Sequence, residues 1–496
     1  MKAINLALAA VIILGNAVLY SKASLPRPNI LWLVVEDQSK HYGFNGEKLV
    51  TTPVLDNLAK QGVRFTNASV TAPVCSTARS ALITGMFQTS IGAHHHRSGR
   101  GKIKIEKPAH VKLIPEFFKQ AGYYTCLGSA NHGAGSVQGR QKLKLGKSDY
   151  NFEWDTSVFD AGEWSGREKG QPFFAKICLS GGKARKLARN FKAIPHVAAS
   201  EVELPPYYPR HPVVLEDWAA YLDTFTLMDL QVGQIIKRLK EENEYDNTVI
   251  FFITDHGVSH ARGKQFCYDE GLMIPFFVHA PGRLEGGTVR EDPVLHIDVA
   301  ATSLYFAGIP IPQYMEARPL FGPDFSARDY AVSARDRCDE TYDRIRAIRT
   351  PSFKYIQNGY PLRPHLQPCA YKDNKDIYIA IREWGEAGKL SDIQHKLLLS
   401  PFRAKEELYD LKSDPWELNN LAMDEKYKKV LLQMRSDLTQ WVNDTGDQGQ
   451  KVEPMELYDS DMEARLRALR SAGKGQRQKE ILENIALMKT WWKDGK

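Results

Sequence analysis

The sequence predicts an α/β fold: a mainly parallel sheet flanked by helices, followed by a smaller α+β C-terminal subdomain. Three observations carry this. PNILWLVVED and NTVIFFITDH are apolar runs that end in acidic or histidine residues, as buried parallel strands do when polar groups gather at their carboxyl ends. From residue 28 onward such runs alternate with amphipathic helical stretches, the rhythm of a sheet covered on both faces. After about residue 325 the alternation gives way to a mixed pattern.

Taken in order, the chain opens MKAINLALAAVIILGNAVLYSKASLPRP. Lys2 gives a positive start, apolar residues run from Ala3 to Tyr20, and Ser21-Lys22-Ala23 offers small residues for cleavage. This reads as a secretory signal over 1–23, which places the mature protein in the periplasm or outside the cell. An uncleaved anchor is the alternative. No later segment approaches the roughly 18 apolar residues a membrane helix needs, so no stable membrane span is expected after signal cleavage.

The main α/β domain spans 24–325. After the first strand, TPVLDNLAKQG is an amphipathic helix with a glycine stop. A short helical segment at Cys75, a helix around 111–121 and strands at GYYTCLG and QPFFAKICLS follow. A long helix is expected over about 215–241, then strands NTVIFFITDH and MIPFFVHAP and a helix at HIDVAATSLYFAG. In the α+β subdomain, 326–445, AIRTPSFKYIQNG reads as strand and turn. EELYDLKSDPWELNNLA reads as strand, turn and helix start. The extension 446–496 is charged and helix-prone, the composition of a solvated or packing helix.

The formal net charge is +7, or +5 once Lys2 and Lys22 are removed. That balance mildly favours an anionic partner. No basic run carries interleaved aromatics, which argues against nucleic acid. Six cysteines in 496 residues are too few and too widely spaced for a disulfide framework. Cys126 and Cys178 sit in apolar runs and read as small buried hydrophobes.

Chemistry concentrates at a few places. In PVCSTARSALITG, Cys75 stands at the start of a helical segment and Arg79 one turn on. A thiol so placed is either a reactive, low-pKa group or an inert buried cysteine. Glu36-Asp37 and Asp255-His256 close two strands. In parallel sheets ligands bind beyond the carboxyl ends of strands, and three carboxylates with an imidazole suit a divalent metal. Lys264 lies nine positions past Asp255 in a loop with glycines at 257 and 263. It reads as a fixed cation for the site or as a solvated lysine.

These pieces resemble the formylglycine-dependent sulfatases. Cys75-Ser76-Thr77-Ala78-Arg79, continued by Ser80-Ala81-Leu82-Ile83-Thr84-Gly85, is similar to that family's signature. NILWLVVED, TDHG…RGK…YDEG…IPFFVHAPG and EELYDLKSDPWELNNLA resemble further blocks of the family in the same order. The resemblance covers nearly all of residues 28–422. It implies an alkaline-phosphatase-like catalytic domain. It also implies a maturation enzyme that oxidises Cys75 to formylglycine, whose hydrate attacks the sulfur of a sulfate ester and later expels sulfate. It implies one Ca²⁺ held by Glu36, Asp37, Asp255 and His256 with the modified Cys75, Arg79 bracing the formylglycine, and Lys264 on the sulfate.

The family's Lys-x-His finds its nearest match in GKSDYNF, giving Lys147 and Asp149, with His132 as a competitor upstream. Two departures stand out. Thr77 occupies a position where proline or alanine is usual. The histidine that ordinarily follows the PFF strand is replaced by CLSGGKARKLAR, leaving Lys183 or His196 for its role. For the substrate, the GAHHHRSGRGK loop offers His94, His95, His96 and Arg97, and the segments 334–346 and 363–372 offer Arg337, Asp339 and Arg363. These last two segments resemble parts of bacterial polysaccharide and heparan N-sulfatase-like sulfatases. The expected substrate is therefore a sulfated carbohydrate. The alternatives are a phosphodiesterase or phosphonate hydrolase on the same scaffold, and an inactive sulfated-glycan-binding protein.

Overall fold

The computed structural model describes residues 26–130, 139 and 143–496. The expected signal over 1–23 and His132 lie outside the described residues. Four adjacent parallel strands form one side of the main sheet: β1 (Asn29–Val35), β4 (Tyr124–Ser129), β5 (Phe173–Leu179) and β6 (Thr248–Thr254). β2 (Val63–Phe65), β7 (Phe276–His279) and β8 (Thr288–Arg290) complete a seven-stranded sheet in the order β4-β5-β1-β6-β7-β2-β8. β7 runs antiparallel to β6 and to β2, so MIPFFVHAP supplies a strand of reversed direction. A small pair, β3 (Ala68–Ser69) with β9 (Val294–Leu295), lies apart.

β1 shows why its sequence is apolar throughout. Ile30, Trp32 and Val34 join one core cluster, while Leu31, Leu33 and Val35 join the other, because alternate side chains of a strand point to opposite faces. The first face is covered by α2 (Cys75–Thr84), α3 (Ile114–Gln120) and the helix Asp298–Ala307. There the Trp32 indole N–H donates to Ser303 Oγ at 2.8 Å. The second face is covered by α1 (Pro53–Gln61) and by α4 (Pro212–Glu241), with the helix Asp298–Ala307 following as α5. α4 starts at a proline, His211 capping the Val213 N–H, and buries Trp218, Tyr221, Leu222, Phe225, Met228, Val232, Ile235 and Leu239. That i, i+3, i+4 spacing is one helix face, and each such side chain contributes about 1.5–3 kcal/mol.

The second sheet is antiparallel, in the order β10 (Ala331–Arg335), β11 (Ile345–Arg349), β12 (Phe353–Asn358) and β13 (Glu406–Asp410). Its apolar face shares a core with the main sheet through Ile348, Tyr355 and Leu408. After β13 the helix start expected at the end of EELYDLKSDPWELNNLA is a loop instead. The Asp414 carboxylate accepts the N–H groups of Leu418 and Asn419, and Asn420 Oδ1 accepts that of Leu408. The Asp414 side chain thus satisfies backbone groups that a helix would have used, and Asn420 ties the loop back to β13. The helix begins only at α7 (Lys428–Thr445), after α6 (Asp376–Glu386) earlier in the chain.

The extension forms α8 (Met455–Ser471) and α9 (Gly475–Lys493), which pack back onto the molecule. Arg337 is fully buried and pairs with Glu453 at 2.8 Å and Asp461 at 2.7 Å. Arg363 donates to the Lys496 carbonyl at 2.7 Å and stacks on Tyr360 and Trp491. Breaking a buried ion pair from one side strands the partner charges. Arg337→Ala is therefore expected to cost about 3–5 kcal/mol in urea unfolding, a larger loss than truncating an exposed arginine gives. Among the described residues no helix is long and apolar enough to cross a membrane.

Candidate active site

β1 and β6 pair in register, Val35 beside Thr254. The residues that follow each strand therefore emerge side by side. Glu36 N–H donates to the Leu179 carbonyl at 3.1 Å, and Asp255 N–H to the Val35 carbonyl at 2.8 Å. Asp37 takes the left-handed conformation, φ 53°, and its own N–H donates to Asp255 Oδ1 at 3.1 Å. A non-glycine residue held there stores strain of about 1–3 kcal/mol, which the surrounding bonds must maintain. The two acid pairs read from separate stretches of sequence thus form one cluster at the strand ends.

α2 delivers Cys75 into this cluster. Cys75 is its first residue, all ten of its residues are buried, and Gly85 ends it at φ 67° with its N–H on the Ala81 carbonyl. The positive end of the helix therefore faces the acids. Thr77 bonds back to the Val74 carbonyl at 2.8 Å, so the folded helix accommodates that departure. Around Cys75 Sγ lie Lys264 Nζ at 3.0 Å, His256 Nε2 at 3.2 Å, Lys183 Nζ at 3.5 Å and Asp37 Oδ1 at 3.9 Å. Burial opposes the thiolate, but Lys264, Lys183 and His256 outweigh it and hold the thiol well below its ordinary range. Asp37 is likewise held well below the carboxylate range, Lys183, Lys264 and His256 outweighing its burial.

Arg79, fully buried, fixes the frame. Its Nε donates to Asp255 at 3.0 Å, one Nη to Glu36 at 2.9 Å and the other to Cys178 Sγ at 3.1 Å. Cys178 is buried as expected, yet its sulfur serves this network rather than packing alone, and it donates to the Lys147 carbonyl at 3.1 Å. Glu36 is a hub for cations: Lys147 Nζ lies at 2.5 Å and Lys183 Nζ at 2.6 Å. Lys183 reaches in because Gly181 and Gly182 let their loop close onto β1's exit. A Cβ on either would stand 2.2 Å from the Glu36 or Asp37 carbonyl oxygen, closer than atoms pack, so glycine is required. Burial disfavours its charge, but Asp37, Cys75 and Glu36 prevail and raise the Lys183 pKa. It is a fixed cation, not a ready proton donor. His196 lies elsewhere, on Asp223 at 3.1 Å.

The donor chemistry fits a hard cation. Asp37, Cys75 and His256 present ligand atoms within 4.8 Å of one another, and Asp255 Oδ1 stands 3.6 Å from His256 Nε2. Carboxylate oxygens with one imidazole suit Ca²⁺ and related ions. Glu36, beside them, is held by Arg79, Lys147 and Lys183.

The other predicted residues divide. Asp149 joins Lys147 at 3.3 Å and Arg100 at 2.5 Å. His96, 2% exposed, stands 3.7 Å from Asp339 with both ring nitrogens lacking a hydrogen-bond partner. Arg97 contacts Asp339 at 3.4 Å and anchors its own N–H on Ser76 Oγ at 2.9 Å. His94 and His95 instead line a separate cavity of about 480 Å³ with Gln448, Glu453 and Leu457. Arg337 and Arg363 do not reach the site, because the C-terminal extension occupies their guanidinium groups. Three further neighbours of the centre are not named from the sequence, although Tyr371 lies within the 363–372 segment singled out there. Tyr371 lies with its ring 5.1 Å from Lys264 Nζ and 4.8 Å from Lys375 Nζ, and Arg465 pairs with Asp339 at 2.9 Å. Nothing in the local sequence marks Lys375 or Arg465.

A buried nucleophile at a helix mouth, enclosed by lysines and a carboxylate–imidazole cluster, defines a hydrolase centre for anionic esters. The chain belongs to the sulfatase family: the family model described as Sulfatase matches residues 28–309. It is a sulfuric ester hydrolase on an alkaline-phosphatase-like fold. An ulvan-active sulfatase of Formosa agariphila is 31% identical over 468 residues, 85% of this chain and 76% of that protein. Human N-sulphoglucosamine sulphohydrolase is 24% identical over 477 residues, 84% of this chain and 90% of that one. The solved structure of a 2-O glycosaminoglycan sulfatase superposes with a TM-score of 0.60 at 18% identity, covering 87% of this chain and 96% of the other.

Proposed function

We propose that the protein removes sulfate from a sulfated sugar of a polysaccharide or glycosaminoglycan, after export and after oxidation of Cys75 by a maturation enzyme. The observation that carries this reading is the enclosure of Cys75 Sγ by Lys264, His256 and Lys183 within 3.5 Å. The substrate class is supported by the relatives, which include an ulvan-active and an N-sulphoglucosamine enzyme. The basic opening and apolar run of residues 1–23 support export.

The residues divide the work by position. Oxidised Cys75 supplies the hydroxyl that attacks sulfur. Lys264 and Lys183 receive the sulfuryl oxygens beside it, and Lys147 adds charge at the rim, so charge that moves during displacement meets preorganised cations. Arg79 keeps the nucleophile's helix and the acids in one frame. Asp37, His256, Asp255 and Glu36 would hold Ca²⁺, which would supply a fixed positive charge against the sulfuryl group.

Two assays test this. Sulfate esters should be turned over with a clear preference over phosphate diesters and phosphonate esters; the reverse preference would favour the phosphodiesterase or phosphonate hydrolase reading. Adding Ca²⁺ to chelated protein should restore activity and raise Tm by about 2–3 °C at a hundredfold excess over Kd. An unmoved Tm and activity would remove the ion from the account.

A further inference from the structure

Asp339 is the node of a clamp that joins the substrate loop to the C-terminal extension. It takes the left-handed conformation, φ 55°, and its side chain is 1% exposed. A buried carboxylate needs countercharge, and three groups converge on its Oδ1: Arg465 at 2.9 Å, Arg97 at 3.4 Å and His96 at 3.7 Å. Its Oδ2 has no hydrogen-bond partner. The three differ in freedom. His96 is 3% exposed, Arg465 15% and Arg97 44%.

Arg465 is locked. It comes from α8 and also pairs with Glu340 at 2.8 Å, whose other oxygen receives Asn484 of α9 at 3.0 Å. Tyr458 ties the same loop by donating to the Glu340 carbonyl at 2.8 Å. Arg97 is loose. Its backbone is fixed on Ser76, next to Cys75, in the left-handed region at φ 60°, but its guanidinium makes one long contact and opens to solvent. A half-free guanidinium beside the nucleophile's helix is suited to bidentate capture of an oxyanion.

We propose that Arg465 is a positioning residue for substrate binding: by neutralising Asp339 it leaves Arg97 free to bind a second anionic group on the sugar that carries the scissile sulfate, or on its neighbour. This rests on the reading of the protein as a sulfated-glycan hydrolase. The bound group is a carboxylate or a further sulfate, which share the chemistry Arg97 recognises. Without Arg465, Asp339 draws Arg97 inward and the anion loses its partner.

The test compares three substrates: a sulfated disaccharide bearing a uronate carboxylate, one bearing a second sulfate in its place, and an aryl sulfate with no second anion. Arg465→Gln should raise KM about tenfold for whichever dianionic disaccharide is recognised, the loss of one charge-assisted contact. Its kcat should change less than about threefold, and Arg465→Lys should recover most of the loss by keeping the charge on Asp339. Arg97→Gln should give the same rise in KM, and the double variant little more. Equal losses on all three substrates, or no loss, would overturn the proposal. If Arg465→Gln fails to fold, Arg97→Gln decides: unchanged KM for both disaccharides refutes the inference. If the unsubstituted protein cleaves no sulfate ester, the functional reading fails instead, and calorimetric affinity for the same disaccharides, expected to fall in both variants, decides the clamp.

Discussion

Cys75→Ala is expected to reduce turnover of a sulfate ester by on the order of 10⁴-fold or more, the scale seen when a covalent nucleophile is removed from an otherwise intact site. The reason lies in the division of labour around the sulfur. Lys264, Lys183 and His256 surround Cys75 Sγ but none of them can replace an attacking oxygen. The loss should fall on kcat, since the lysines that hold the anion remain. Tm should stay close to that of the unsubstituted protein, because α2 buries nine other residues and keeps its glycine cap. A variant that retained more than about one per cent of activity would show that the chemistry does not pass through residue 75.

The second large effect is expected from Lys264→Met. The substitution keeps the apolar stem and removes the charge nearest to Cys75 Sγ, at 3.0 Å, which also lies 3.2 Å from Asp37 Oδ1. Burial disfavours the ammonium, but Asp37 and Cys75 outweigh it and raise the Lys264 pKa well above its ordinary value, so it stays charged across the working range. Losing one preorganised donor of this kind costs about 10²–10³ in kcat/KM. Product inhibition by free sulfate should weaken in parallel, which separates a loss of anion binding from a general loss of structure. Unchanged sulfate inhibition would place Lys264 outside the anion site and leave it a partner of Asp37 only.

Much of this centre is legible in the sequence because its strands are buried on both faces. β1 and β6 are continuous apolar runs, so the polar residues that end them, Glu36-Asp37 and Asp255-His256, stand out without any alignment. α2 is legible through its spacing and its Thr-Gly ending, which the structure explains as a left-handed cap. The short strands are not: three residues at Val63–Phe65 or Thr288–Arg290 are too few to show a period. Nor does an apolar run reveal direction, which is why the reversal of β7 emerges only from its pairing with β6.

Charged residues are the least legible. Arg337 and Arg97 both lie in segments rich in charge, yet one is consumed by Glu453 and Asp461 while the other opens to solvent beside Ser76. The difference is made by an extension more than a hundred residues away, whose own sequence shows only a charged helix. Arg465 illustrates the same limit. Its partners Asp339 and Glu340 are distant in the chain, and no local pattern marks a helix that turns back over a site. Cys178 looks like a packing residue from its apolar neighbours, and only the approach of Arg79 shows that its sulfur has a polar duty.

The measurement that bears most directly on the account is mass spectrometry of the tryptic peptide Phe65–Arg79. The protein should come from its native host or from cells that also express a formylglycine-generating enzyme. An aldehyde is expected in place of the Cys75 thiol, with Thr77 tolerated in the signature. A thiol that persists at Cys75, in cells that mature other sulfatases, would contradict it and leave a protein that binds sulfated glycans without cleaving them.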